Sequence, residues 1–161
     1  MEIQPRFGRE TLAFDKLTLI GAEGQILSVT RLDFLVSKVE MRQTGGNWLS
    51  LTNSEAYVSG REGRIRFELE GVPSGDYDGI RFLVGLEHEL NKSDPAKYPP
   101  SHALNPQVNG LHWGWQGGYV FLAIEGRWTK PSRSNTQNPN SEGGYSFHLA
   151  NEPQLPLGKG R

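Results

Sequence analysis

The chain contains no cysteine. Disulfides, thiolate metal sites, iron–sulfur clusters and a cysteine nucleophile are therefore excluded. Met1 and Met41 are its only methionines, so thioether ligation of a soft metal has almost no basis. No charge of either sign dominates. Lys and Arg number 17 against 18 Asp and Glu, giving a formal net charge of −1 and no electrostatic footprint for nucleic acid or an acidic membrane surface. No apolar run approaches the roughly 20 residues of a membrane span. Enzyme frames are missing too: no GxSxG, no GxxxxGK[ST] and no HExxH occur. Hydrophobic residues fill only 35% of the 161 positions, while Gly supplies 20 and Pro 10, which favours short strands and turns over helices.

What remains is organised as strands. Thr11–Leu19 alternates loosely, and Gly21-Ala22-Glu23-Gly24 reads as a turn. Ile26–Met41 is rich in β-branched and apolar residues and breaks at Gly45-Gly46-Asn47. Arg64–Glu70 alternates strictly, which predicts a strand with Ile65, Phe67 and Leu69 inward. After the turn cluster Gly71–Asp78, the same period over Ile80–His88 predicts an inward face of Ile80, Phe82, Val84 and Leu86, with His88 next on that face. Glu89–Gly110 carries four prolines and no period, so it reads as a long irregular loop of the kind that often bears function. His112–Arg127 reads as a long strand or hairpin, Thr129–Gly144 as a polar loop, Tyr145–Leu149 as a last strand and Pro153–Arg161 as a tail. Regular short strands separated by turn clusters predict an all-β fold, an antiparallel β-sandwich with long irregular loops.

The chemistry-bearing residues are few. The histidines are His88, His102, His112 and His148, with no HxH or HxxxH pair among them, so a metal site has to be assembled from distant segments. A lone histidine is more often a hydrogen-bonded structural residue than a ligand. The densest feature is the run Leu111–Gly126. On one regular strand Trp113, Trp115, Tyr119 and Phe121 share a face, and His112 points away from the two indoles. That face reads either as a core stripe or, given Gly114, Gly117 and Gly118 beside the indoles, as a place that admits a ligand.

Four segments, in order, resemble the MbnP-like copper-binding domain family. They are Val29–Val39, Gly75–Gly85, the His112–Gly126 block with its W-x-W-x-x-G-Y-x-F-x-x-x-E-G pattern, and Phe147-His148-Leu149-Ala150. The likeness runs from about Phe7 to Ala150 and implies one β-sandwich domain over 1–161, shorter at its C-terminal end than longer relatives. It implies a periplasmic or secreted copper-binding protein, although EIQPRFGRE after Met1 holds no apolar export segment. It also implies that copper is held by histidines together with a tryptophan oxidised to kynurenine by a partner dihaem enzyme of the MbnH, cytochrome c peroxidase-like type. Position by position, His148 matches the histidine of the closing tetrapeptide, and Trp113 and Trp115 match the W-x-W pair, either being the residue modified. His88 is a looser match, and His112 stands where many relatives carry a bulky apolar residue. The resulting expectation is a non-catalytic copper protein with His148, His88 and His112 as ligands. Imidazole suits copper, which leads the affinity order at nitrogen sites. The competing expectation is a non-catalytic sandwich module that binds a protein or carbohydrate through its Trp113/Trp115/Tyr119 face.

Overall fold

The computed structural model describes residues 1–115, 117–130 and 142–150. The expected tail over 153–161 and the middle of the expected polar loop, 131–141, lie outside them. The fold is all-β, antiparallel and sandwich-like. In chain order the strands are β1 (Arg6–Phe7), β2 (Glu10–Thr11), β3 (Leu19–Ile20), β4 (Ile26–Gln43), β5 (Trp48–Ser50), β6 (Ala56–Ser59) and β7 (Tyr77–Val84). Two single-turn helices, α1 (His88–Asn91) and α2 (Pro106–Asn109), follow, with a 3₁₀ turn at Pro95–Lys97 between them. The chain then runs through β8 (His112–Trp113), β9 (Gly118–Tyr119), β10 (Leu122–Thr129) and β11 (Glu142–Leu149).

β4 is the spine of the molecule. Its first half pairs with β10, which in turn pairs with β11, and its second half pairs with β7. On its other edge lie β3, β6 and β5. Residues 33–37 are buried without interruption because both faces of the sheet are covered. Alternation sorts their side chains into two cores. Leu35, with Tyr57, Ala123, Leu86, Leu104, Leu111, Tyr119, Val120 and Phe121, forms one core. Phe34 and Val36, with Val39, Leu51, Ala56 and Val58, form the other, against which Ile3, Phe67 and Leu69 pack.

Two expectations about strands are corrected. Arg64–Glu70 is not a ladder strand. It makes isolated bridges, Glu2 to Arg66 and Ser59 to Arg64, because its neighbour is the first few residues of the chain rather than a full strand. Its alternation survives, with Ile65, Phe67 and Leu69 half-buried. The predicted inward face of Ile80, Phe82 and Val84 is instead exposed, at 45%, 38% and 36%. β7 is bonded to β4 on one side only and sits at the margin of the sheet. The period also stops at Gly85, whose φ of +129° turns the chain so that Leu86 enters the Leu35 core. A side chain at Gly85 would be strained by that φ and would press on the Phe121 ring. His88, past this turn, begins α1 instead of continuing the strand face.

The stretch expected to be irregular is pinned by buried amides. Asn91 Oδ1 accepts from Tyr119 N at 2.8 Å, and Asn109 Oδ1 accepts from Leu111 N at 2.7 Å. Asn105 caps α2 by accepting from Gln107 N and donates to Tyr98 O. β10 and β11 also run further into the expected polar loop than the composition implies, pairing Thr129 with Glu142.

Candidate functional site

The face that carries the Leu35 core changes character toward β11. Register explains why. Across β4, β10 and β11, Arg31 pairs with Glu125 and Glu125 with Ser146, while Asp33 pairs with Ala123 and Ala123 with His148. Residues two apart on a strand share a face, so Arg31, Asp33, Glu125, Ser146 and His148 all stand on the same side. A register shift in the β4–β10 ladder at Glu125/Gly126 precedes this row. Gly126 is required there: a Cβ would collide with the Ser28 carbonyl oxygen and the Tyr145 hydroxyl. That hydroxyl donates to Ser28 O at 2.8 Å, stitching β11 to β4 over the glycine.

The polar row is continuously bonded. Asp33 Oδ2 accepts from Arg31 Nε at 2.7 Å. Glu125 Oε1 receives Arg31 Nη1 at 3.1 Å and lies 2.9 Å from His148 Nε2, which also has Ser146 Oγ at 3.2 Å. Burial pulls the Arg31 guanidinium toward losing its proton, but Asp33 and Glu125 outweigh it and hold the proton more tightly than usual. The hydrogen bond to His148 is the largest influence on the Glu125 carboxyl; burial opposes it, and with the Arg31 guanidinium added the carboxyl is held below the ordinary carboxylate range.

Against His148 stands the aromatic ribbon. β8 and β9 form a tight hairpin in which Gly117 N donates to Trp113 O at 2.9 Å, so His112 pairs with Tyr119 and Trp113 with Gly118. The Trp113 ring meets His148 edge-on at 5.5 Å between centroids, and Trp115 stacks on Trp113 at 5.5 Å with 24° between planes. Trp115 is 77% exposed.

The expected common face of Trp113, Trp115 and Tyr119 is corrected. Parity does not carry across a reversal, and the chain reverses between Trp113 and Gly118. Tyr119 therefore sits beside His112, 1% exposed, with its hydroxyl donating to Leu104 O at 2.6 Å. Burial pushes that phenol up to about 12. His112 meets Tyr119 edge-on at 4.8 Å, and burial lowers its affinity for a proton. His88 opens α1 and is exposed. His102 stacks on Tyr98 at 4.5 Å, and its Nδ1 accepts from Leu104 N, which makes it a structural residue of the 86–111 segment.

The residues thus brought together are His148, Glu125, Ser146 and the Trp113–Trp115 pair. Among the described residues no three His, Asp or Glu side chains form a group that could hold a metal ion. Sequence reasoning missed Glu125, Arg31 and Ser146. Their one signal is parity, since Glu125 stands two residues from Ala123 and Ser146 two from His148. The pairing that joins them crosses 131–141, too long a connection to fix register in advance.

No helix among the described residues is long and apolar enough to cross a membrane. No curated protein and no solved structure matches the chain. The MbnP family model matches residues 1–157. That family consists of small β-domains and is associated with copper and methanobactin. A match over nearly the whole length, on a sandwich-like fold with its W-x-W ribbon against the closing histidine, is decisive: the chain belongs to the MbnP family.

Proposed function

We propose that the chain is a non-catalytic copper-binding protein of the periplasm or cell surface, with His148 as its principal ligand. The observation that carries this reading is the edge-on contact of Trp113 with His148. An imidazole is a good copper donor, and an intact indole is not. Oxidative cleavage of the Trp113 C2–C3 bond by the partner dihaem enzyme and its oxidant, with C2 then released as formate by hydrolysis, would leave a kynurenine with an aromatic amine and a ketone oxygen next to that imidazole. The donor set fits copper in this way: one imidazole is present, and the neighbouring indole is the precursor of the rest. Trp113, rather than Trp115, is then the residue modified, since Trp113 is the one against His148. Trp115, stacked outside it and exposed, faces the side from which a dihaem partner enzyme approaches.

The other two histidines have weaker support as ligands. His112 spends its ring contact on Tyr119, and His88 stands at the start of α1. Copper(I) competition titration tests all three. His148→Ala is expected to weaken binding by at least tenfold, about 1.4 kcal/mol, and His88→Ala and His112→Ala to weaken it less. Equal affinity in His148→Ala and the parent chain overturns the assignment. Mass spectrometry of protein from its native source is expected to place the oxidation on Trp113, and modification of Trp115 alone would reverse that choice.

The exposure of Trp115 favours a second reading, a binding module for a carbohydrate or protein partner. Stacking on a sugar ring would quench or shift indole fluorescence, and Trp115→Ala would abolish the effect. Fluorescence unmoved by a panel of oligosaccharides removes the carbohydrate form of that reading.

A further inference from the structure

We infer that Glu125, clamped by Arg31, is a positioning residue that fixes the tautomer of His148, protonated at Nε2 and carrying its free lone pair at Nδ1. This rests on the copper reading only for what the lone pair is for. The argument is one of donors and acceptors. Arg31 has only donors and keeps its charge, and its Nη1 is 3.1 Å from Glu125 Oε1. Its Nε is occupied by Asp33, whose side chain is 9% exposed, so the guanidinium is held in place from behind. A carboxylate beside a fixed guanidinium stays ionised, and an ionised carboxylate accepts without donating. The same Oε1 lies 2.9 Å from His148 Nε2. Nε2 must therefore carry the hydrogen, and in the neutral ring the lone pair falls on Nδ1. Ser146 Oγ, at 3.2 Å from the same nitrogen, can serve either tautomer and so does not choose between them. A metal-binding histidine commonly gives its other N–H to a carboxylate, which orients the ring and raises its basicity. The chain builds that arrangement from the diagonal Glu125–His148 relation in the β10–β11 ladder.

Long-range ¹H–¹⁵N correlation on the full chain with ¹⁵N-labelled histidine, metal-free and at about pH 8.5, two units above the ordinary imidazole value, reads the tautomer directly. His148 is expected to show a protonated Nε2 and an unprotonated Nδ1. In Glu125→Gln the amide oxygen can take the place of Oε1, which faces both Arg31 and Nε2, and the tautomer is expected to stay. Glu125→Leu removes the acceptor, and the Nε2–H fraction is expected to fall toward the mixture of tautomers of a free imidazole. Ser146→Ala is expected to change nothing. Should Glu125→Leu fail to fold, Arg31→Met frees the carboxylate to turn away from the ring and is expected to lower the Nε2–H fraction. A protonated Nδ1 in the parent chain, an unchanged Nε2–H fraction in Glu125→Leu, or a shift in Ser146→Ala overturns the inference. Copper(I) affinity is read separately: Glu125→Leu is expected to weaken it about 10- to 100-fold. A lowered Nε2–H fraction with unaltered copper affinity keeps the positioning role and removes His148 from the metal.

Discussion

One short ribbon separates two opposite environments. On the Tyr119 side, His112 meets a phenol that is fully packed, bonded to a backbone carbonyl and ringed by Leu35, Leu104 and Leu111. On the Trp113 side, His148 meets an indole, a carboxylate and a hydroxyl, and its side chain is 26% exposed. In the first region the phenol is closed off from water and its hydroxyl is bonded, with His112 half-buried against it. The second holds a polar chain running from buried Asp33 to a half-exposed imidazole. The difference teaches where chemistry is affordable: the packed side fixes the ribbon, and the polar side leaves an imidazole beside an oxidisable ring. If that division is right, substitutions on the two sides separate stability from metal binding.

The largest expected effect is on the packed side. Tyr119→Ala removes a buried aromatic ring and leaves Leu104 O without its donor, so unfolding free energy is expected to fall by about 3–5 kcal/mol. Urea or thermal unfolding measures it. A loss below about 1 kcal/mol would mean that this side is not the anchor. Next comes Asn91→Leu, which leaves the buried Tyr119 N–H unpartnered and is expected to cost about 1–3 kcal/mol. The same change should raise hydrogen exchange at Tyr119 and Val120 before it does so in β4, because Asn91 joins the 86–111 segment to β9.

These two sites also mark how far the sequence could be read. The spine Ile26–Met41, the closing strand with His148 and the importance of the W-x-W block were legible, since each depends on local period or on a short motif. Tyr119 was misplaced because strand parity was carried through the reversal between Trp113 and Gly118, which exchanges the faces. His88 was placed on a strand face because Gly85 looked like one more residue of the alternation, whereas its positive φ ends the strand. Glu125 and Arg31 were passed over because a charged residue on a strand is normally solvated. Only the register across β4, β10 and β11 reveals that they form a row with His148.

The polar side is expected to behave in the reverse manner. His148→Ala should change stability by no more than about 1 kcal/mol, since a partly exposed hydrogen bond contributes little, while it reduces copper affinity at least tenfold. A variant that unfolds as readily as Tyr119→Ala would erase the contrast between the two sides, because His148 would then be a packing residue.

The smallest effects are in pH, and their windows also divide the two sides. Burial lowers the proton affinity of His112 in the fold. The unfolded chain takes up that proton near the ordinary value of about 6.5 and the folded chain only below it. Stability is therefore lost as pH falls from about 7 through the lowered value, and then levels. Glu125 acts lower on the scale. Its folded carboxyl is held down by His148 first and Arg31 next, so its contribution is present above the unfolded value of about 4.3 and is lost as pH falls through the lowered one. Glu40, held down by Arg81, shares that acid limb. Urea unfolding from about pH 8 to 3 should then show two shallow slopes of the same sign. His112→Phe keeps the ring contact with Tyr119 and should flatten only the upper slope. Glu125→Gln should flatten part of the lower one and leave the rest to Glu40. An upper slope that persists in His112→Phe would show that the Tyr119 side does not shield the imidazole, and the division drawn at the ribbon would have to move.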